Sequence, residues 1–266
     1  MKNVTATTLR QMKGIGEKIA CLTAYDASFA ALLEGAGTEV LLVGDSLGMV
    51  LQGEPSTLSV TMDAMVYHTT CVARGTNRAL LVADLPFLSY TNPDRALDNA
   101  GRLMAAGAKM VKLEGGSAPV LDTVYRLVQW GIPVCAHVGL QPQSVHKLGG
   151  YRVQGGEPDR ASVILEEAQA LEEAGAELLV LECVPVTLAQ RITAALQIPV
   201  IGIGAGIYCD GQVLVLYDAL GIVIGKRPRF SRDFMQGNSS IHEAITAFVR
   251  EVKLGTFPGP DHSYGG

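Results

Sequence analysis

Eight short apolar runs alternate with helix-like stretches along the chain, and this alternation constrains the fold more than any other feature. The runs are residues 19–24, 40–44, 80–84, 110–114, 134–138, 178–182, 200–204 and 213–217. Each run is apolar almost throughout, as expected for strands that helices cover on both faces of a parallel sheet. Amphipathic helices are predicted at residues 26–35, 62–74, 93–106, 118–130, 159–174, 186–196 and 240–252.

Eight strands separated by helices predict an α/β fold, a (β/α)8 barrel, as a single domain over residues 1–266. An open doubly wound sheet is the alternative, because right-handed crossovers permit both arrangements. Two glycine-rich loops, residues 44–59 and 139–158, follow strand ends, and the second is expected to have no regular structure. In a barrel, long loops at this end act as lids or binding walls over the catalytic face.

Charge and cysteine content exclude several classes of protein. A formal net charge of −5 without a basic stripe argues against nucleic-acid binding. No apolar stretch is long enough for a signal peptide or a membrane span, so no membrane association is expected. The five cysteines form no CxxC pair, which predicts reduced thiols in a cytoplasmic protein and no structural zinc site.

Five successive apolar runs end on an ionisable residue: Asp45, Asp84, Glu114, His137 and Glu182. The carboxyl ends of barrel strands converge on one rim, so these side chains are expected to meet there. Mg²⁺ is usually bound by one or two carboxylates together with water and substrate oxygens. We therefore predict that Asp45 and Asp84 hold Mg²⁺, with Glu114 completing the shell directly or through water. The simpler alternative for a lone Asp after a strand is a cap of the next helix, which suits Asp45 better than Asp84, because Leu85-Pro86-Phe87 follows Asp84.

Lys112 and Glu114 are two residues apart on one strand and so point to the same face. Lys112 is interpreted as a structural ion-pair partner of Glu114, an anion clamp for a substrate carboxylate, or a Schiff-base nucleophile. Glu182 stands among apolar neighbours, which suits a general base that removes a proton next to a carbonyl, or a buried acid bonded to backbone amides. His137 would orient the substrate, bind metal, or pack as a core histidine.

Two further features have weaker functional interpretations. The glycine-rich segment GIGAG at residues 202–206 is similar to a phosphate-cradling loop, but a tight turn explains it equally simply. His146, Lys147 and Arg152 in the second long loop could bind an anionic partner, although ordinary solvated loop charge is the simpler interpretation.

Several longer strings resemble the ketopantoate hydroxymethyltransferase family. They are VGDSLGMV (43–50), DLPF (84–87), VKLEGG (111–116), AHVGLQPQ (136–143), LECVP (181–185), GIGAG (202–206) and FPGPDHS (257–263). The resemblance covers nearly the whole chain in order. It implies a (β/α)8 TIM barrel of the phosphoenolpyruvate/pyruvate-binding type and a homo-oligomer, a decamer in this family.

The resemblance also implies an activity. A hydroxymethyl group would pass from 5,10-methylenetetrahydrofolate to 3-methyl-2-oxobutanoate through a Mg²⁺-stabilised enolate, giving 2-dehydropantoate for pantothenate and coenzyme A biosynthesis. The implied roles are metal and substrate ligand for Asp45 and Asp84, metal site for Glu114, proton acceptor for Glu182, and substrate contact for Ser46, Lys112 and His137. The alternatives are a Schiff-base ketoacid aldolase using Lys112, and a non-catalytic ketoacid or folate sensor, which a barrel scaffold alone does not exclude.

Overall fold

The computed structural model describes residues 3–265 except 224 and 226, and eight parallel strands close into a barrel within that range. The strands are Ile19–Thr23 (β1), Val40–Val43 (β2), Leu80–Asp84 (β3), Met110–Glu114 (β4), Val134–Gly139 (β5), Leu178–Glu182 (β6), Val200–Ile203 (β7) and Gly211–Leu214 (β8). Each strand pairs with the next one in the chain, and β8 pairs with β1. The predicted (β/α)8 fold is confirmed, and the open sheet is excluded.

Helices cover the outside of the barrel. They are Ala6–Gly14 (α1), Ala27–Gly35 (α2), Leu47–Val50 (α3), Met62–Gly75 (α4), Pro93–Ala105 (α5), Ala118–Gln129 (α6), Val145–Leu148 (α7), Pro158–Glu173 (α8), Val186–Ala195 (α9), Leu216–Ala219 (α10) and Ile241–Leu254 (α11). Short 3-10 turns lie at Thr57–Ser59, Pro142–Ser144 and Pro260–His262. Within the described part of the chain, no helix has the length and apolar character needed to span a membrane.

Helix α1 was not predicted, because its segment is mostly polar. Thr5 caps its first turn by accepting a hydrogen bond from the backbone N–H of Thr8. Leu9 and Met12 are buried and pack with the inward-facing residues of the strands, including Ile19. These contacts cover the amino-terminal end of the barrel, so the opposite, carboxyl-terminal end forms the mouth.

The predicted eighth strand, residues 213–217, was wrong in its position. The strand is Gly211–Leu214, and the chain turns into α10 immediately after it. The apolar pattern missed the first two residues of β8 because neither Gly211 nor Gln212 is apolar. Gly211 packs so tightly on β1 that a Cβ atom there would lie 2.4 Å from the carbonyl oxygen of Ile19.

The prediction that residues 139–158 lack regular structure was also wrong. The segment contains the 3-10 turn Pro142–Ser144 and the short helix α7. Pro142 stands at the first position of the turn, where its fixed backbone angle and missing N–H are favourable. This turn brings the side chain of Gln143 into the protein interior.

The strand register sets the height of the ionisable residues in the mouth. Side chains alternate between the interior and the helix layer, so Lys112 and Glu114 both point inward. In the parallel register, Asp84 of β3 is opposite Lys112 of β4, and Glu114 of β4 is opposite His137 of β5. Complementary groups on neighbouring strands therefore lie side by side.

Candidate active site

Asp84 is the centre of one half of the mouth. Its Oδ1 atom accepts a hydrogen bond from Nζ of Lys112 at 2.8 Å, and both side chains are buried. Its Oδ2 atom accepts the backbone N–H of Asp45 at 3.0 Å. The structure thus brings Asp45, Asp84 and Lys112 together. The expected structural pair of Lys112 with Glu114 is replaced by the pair with Asp84 on the adjacent strand.

Asp45 does not cap a helix through its side chain. Its Oδ2 atom accepts a hydrogen bond from Nε2 of Gln143 at 2.8 Å. The preceding Gly44 leaves room for the site, since a Cβ atom there would lie 2.8 Å from Oγ of Ser46 and 3.6 Å from Oδ2 of Asp84. Ser46, half-buried, shares a hydrogen bond of 2.9 Å with the phenol of Tyr25, which follows β1.

His137 lies between two carboxylates in the other half of the mouth. Its Nδ1 atom is 3.5 Å from Glu114 and its Nε2 atom is 3.3 Å from Glu182. Burial alone would lower the pKa of His137, but the two carboxylates raise it to about 9. The ring is therefore an imidazolium at neutral pH. Burial also opposes ionisation of Glu114, yet His137, Lys112 and a backbone N–H lower the pKa of its carboxyl.

Glu182 is the most accessible of these acids, with 13% of its side chain exposed. The next residue, Cys183, has a φ angle of +47°, an uncommon conformation for a residue with a side chain. Backbone hydrogen bonds to Ile203 and from Gln154 hold it in place. On the adjacent strand, Gly139 approaches so closely that a Cβ atom there would lie 2.2 Å from the carbonyl oxygen of Glu182.

The charges at the mouth do not balance. The carboxylates of Asp45, Asp84, Glu114 and Glu182 face one ammonium, Lys112, and one imidazolium, His137. Burial together with the charges of Asp84 and Glu114 raises the pKa of Asp45 well above its usual range. A divalent cation would favour the ionised form of Asp45 and offset the excess of acids over cations, so this set of oxygen ligands fits Mg²⁺.

The cation site is not a closed cage of protein ligands. Among the described residues, no three His, Cys, Asp or Glu side chains form a ready metal-binding group. Oε2 of Glu114 accepts the backbone N–H of Gln143, and Oε1 lies 3.5 Å from Nδ1 of His137. Such an open arrangement is typical of Mg²⁺, which keeps several positions for water and substrate.

The two long loops meet at the mouth. The phenol of Tyr151 donates a hydrogen bond to the sulfur of Met49 at 3.6 Å, which links the segment after β5 to α3. Burial and the carboxylates of Glu182 and Asp45 raise the pKa of Tyr151, which places its ring near the acids. His146 and Lys147 lie in α7, and Arg152 follows this helix. None of the three takes part in the described contacts that join the acids.

The glycine-rich segment after β7 is a tight turn. Gly204 has a φ angle of +61°, and a Cβ atom there would lie 3.1 Å from the rings of Phe230 and Tyr264. A Cβ atom at Gly206 would lie 2.6 Å from Val186. The close packing of side chains against both glycines favours the turn interpretation.

Sequence reasoning missed two residues of the site, Tyr90 and Gln143. Tyr90 donates a hydrogen bond of 2.6 Å to Oε1 of Gln143, whose amide in turn binds Asp45. Both residues lie in loops, where no strand or helix pattern marks an inward-facing side chain. A weak signal was available for Gln143, because it directly follows Pro142 in one of the strings that carry the family resemblance.

Replacing Lys112 by methionine is expected to lower the free energy of unfolding by about 3–5 kcal/mol, because Asp84 then stays buried without its counter-ion. The measurement is denaturant unfolding in the presence of a chelator, so that no cation compensates the loss. The matched control is Lys109→Met, at an exposed position just before the same strand, with an expected change within about 0.5 kcal/mol. Equal stability of the two variants would contradict the expected role of the buried pair.

The structure defines a (β/α)8 barrel with an acidic mouth at the carboxyl ends of its strands. Similar solved structures include phosphoenolpyruvate phosphomutase from Streptomyces platensis (TM-score 0.61, 17% identity, 82% of this chain and 83% of that chain covered). Another is 2,3-dimethylmalate lyase, a member of the PEP mutase/isocitrate lyase superfamily (TM-score 0.62, 18% identity, 84% of each chain covered). At these identities the likeness shows the fold alone.

Sequence comparison narrows the class to a family. The family model described as ketopantoate hydroxymethyltransferase matches residues 3–260. The 3-methyl-2-oxobutanoate hydroxymethyltransferase of Nitrosococcus oceani is 61% identical over 265 residues, covering 99% of this chain and 100% of the relative. The enzyme of the same name from Methylococcus capsulatus is 59% identical and covers 98% of this chain and 97% of the relative. The chain belongs to the ketopantoate hydroxymethyltransferase family.

Proposed function

We propose that this protein transfers a hydroxymethyl group from 5,10-methylenetetrahydrofolate to 3-methyl-2-oxobutanoate, giving 2-dehydropantoate for pantothenate and coenzyme A biosynthesis. The observation that carries the proposal is the pairing, in one mouth, of an oxygen-rich, negatively charged pocket with a separate accessible acid, Glu182. The names of relatives that are 61% and 59% identical over nearly the whole chain support the substrate.

Asp45 and Asp84 would hold Mg²⁺, and Glu114 would support the site through water and its own hydrogen bonds. When bound, the ion would act as a Lewis acid that stabilises negative charge on the keto oxygen of the ketoacid. One of the similar folds, phosphonopyruvate hydrolase, has been solved in complex with oxalate and Mg²⁺ (TM-score 0.61, 16% identity, 98% of this chain and 93% of that chain covered).

Glu182 would remove the proton from C3 of the ketoacid. Its carboxylate reaches the mouth, and the imidazolium of His137 lies 3.3 Å away. The ring of His137 would orient the carboxylate of Glu182, while Glu114 lies on the other side of the ring, 3.5 Å from Nδ1. His137 would also contact the substrate. The carbon nucleophile that forms would then attack the one-carbon unit of the folate, and one water molecule would supply the hydroxyl oxygen of the product as tetrahydrofolate leaves.

Lys112 would balance the carboxylate charge of the ketoacid as a cation. Burial opposes its charge, but Asp84, Glu114 and Asp45 raise its pKa above the usual lysine value, so it stays protonated. A Schiff base requires the neutral amine. The geometry therefore favours the Mg²⁺ mechanism over the aldolase alternative. Ser46, held by Tyr25, would provide a neutral hydrogen bond to the substrate.

The loops joined by Tyr151 and Met49 would shield the one-carbon unit from bulk water until the carbon–carbon bond has formed. The cytoplasmic location and the homo-oligomeric state implied by the family resemblance remain predictions. Light scattering of the purified protein would measure the oligomeric state.

The proposal is tested by incubating the purified protein with Mg²⁺, the ketoacid and methylenetetrahydrofolate labelled with carbon-13 in its methylene group. We expect labelled 2-dehydropantoate in the mass spectrum, and none when either substrate is omitted. Tight ketoacid binding without product and without exchange of the C3 proton would instead support the sensor alternative.

A further inference from the structure

Gln143 belongs to a polar loop, yet only 5% of its surface is exposed. Its side-chain nitrogen donates hydrogen bonds to Oδ2 of Asp45 at 2.8 Å and to the carbonyl oxygen of Leu85 at 3.0 Å. Its backbone N–H donates to Oε2 of Glu114 at 3.0 Å. One residue from the loop after β5 therefore ties together the ends of β2, β3 and β4.

Tyr90 fixes which way the amide of Gln143 points. The phenol donates to Oε1 of Gln143 at 2.6 Å and accepts the backbone N–H of Glu114 at 3.3 Å. With its oxygen occupied by Tyr90, the amide presents its nitrogen to Asp45. A hydrogen bond from an amide to a carboxylate is charge-assisted, and it restricts the carboxylate to one orientation.

We propose that Gln143, oriented by Tyr90, is the positioning residue that holds Asp45 ready for the divalent cation. Gln143 occupies only Oδ2 of Asp45 among the described contacts of that side chain, so the carboxylate keeps capacity for a further ligand. The inference rests on the proposed Mg²⁺ site and adds a dependence of cation affinity on the loop after β5. Residues that orient metal ligands in this way typically change metal affinity by about 10–100-fold when replaced.

The test measures binding of Mn²⁺ to the protein by electron paramagnetic resonance, without ketoacid. Competition with Mg²⁺ then gives the affinity for Mg²⁺. Gln143→Met keeps the size of the side chain and removes its hydrogen bonds, and we expect the Kd to rise by about 10–100-fold. Tyr90→Phe removes only the orienting phenol, and we expect a smaller rise in the same direction. The matched control is Gln141→Met. Gln141 lies in the same loop, and among the described residues its side chain bonds only to Ser144, so the Kd of this variant for Mn²⁺ should not change.

The steady-state kinetics separate positioning from folding. For a positioning role, the Mg²⁺ concentration needed for half activation rises in Gln143→Met while kcat at saturating Mg²⁺ is largely recovered. If Gln143→Met fails to fold, Tyr90→Phe decides. Unchanged Mn²⁺ affinity in a folded variant overturns the role of Gln143 and leaves the proposed function intact. Absence of Mn²⁺ binding by the unsubstituted protein overturns the cation site itself, and with it this inference.

Discussion

Replacing Glu182 by glutamine is expected to slow hydroxymethyl transfer by about a thousandfold, within the range that a positioned general base contributes. The amide has the shape of the acid but cannot accept the C3 proton. Because Glu182 lies apart from the contacts that join Asp45, Asp84 and Lys112, binding of cation and ketoacid should survive. Nuclear magnetic resonance in deuterated water measures the exchange of the C3 proton, which should also stop.

The matched control for this variant is Glu177→Gln. Glu177 directly precedes β6, whereas Glu182 ends it, so the two acids stand at opposite ends of one strand. The control should exchange the C3 proton at the unsubstituted rate. Exchange at that same rate in Glu182→Gln, with ketoacid bound, would remove Glu182 as the base and point to another group in the mouth.

Removal of divalent cations by a chelator is expected to abolish both transfer and C3 proton exchange, and added Mg²⁺ should restore them. The physical reason is that the cation would stabilise the negative charge that forms on the keto oxygen when the C3 proton leaves. Circular dichroism should show an intact fold throughout, since the barrel is closed by its own strands.

The same chelation experiment discriminates between the two enzymatic hypotheses. A Schiff-base aldolase would keep its activity in chelator, and borohydride would trap a ketoacid adduct on Lys112 that mass spectrometry detects. The Mg²⁺ mechanism predicts the opposite result on both counts. Activity that survives chelation and is lost on trapping would displace the proposed mechanism.

Strands and helices were located from the sequence where their burial leaves a pattern in the chain, and were missed where it does not. Burial of a strand on both faces leaves a continuous apolar run in the sequence. Seven strands were therefore located closely from the positions of these runs. The eighth strand was misplaced because it begins with Gly211, which packs closely on β1 but adds nothing to an apolar pattern. Helix α1 was missed because its inward face consists of few residues within a polar segment.

The site shows the same division. Ionisable residues at strand ends could be found in the chain, since an acid after an apolar run needs a reason to be there. The partner that each ionisable residue contacts could not be found in the chain. A pair of Lys112 with Glu114 on its own strand was one of three interpretations, but Lys112 binds Asp84, because contacts across a sheet depend on the register between strands. Tyr90 and Gln143 reach the acids from loops, where spacing along the chain carries no such information.

By itself, the amino-acid sequence determined the barrel and the acids at its rim, because strand burial and strand ends are local properties that leave a periodic pattern. The family followed from long matching strings that span the chain. Only the tertiary structure decided which charges lie together, that acids outnumber cations at the mouth, and that one amide from a distant loop binds Asp45. These are properties of distances between segments far apart in the chain, and only folding sets those distances.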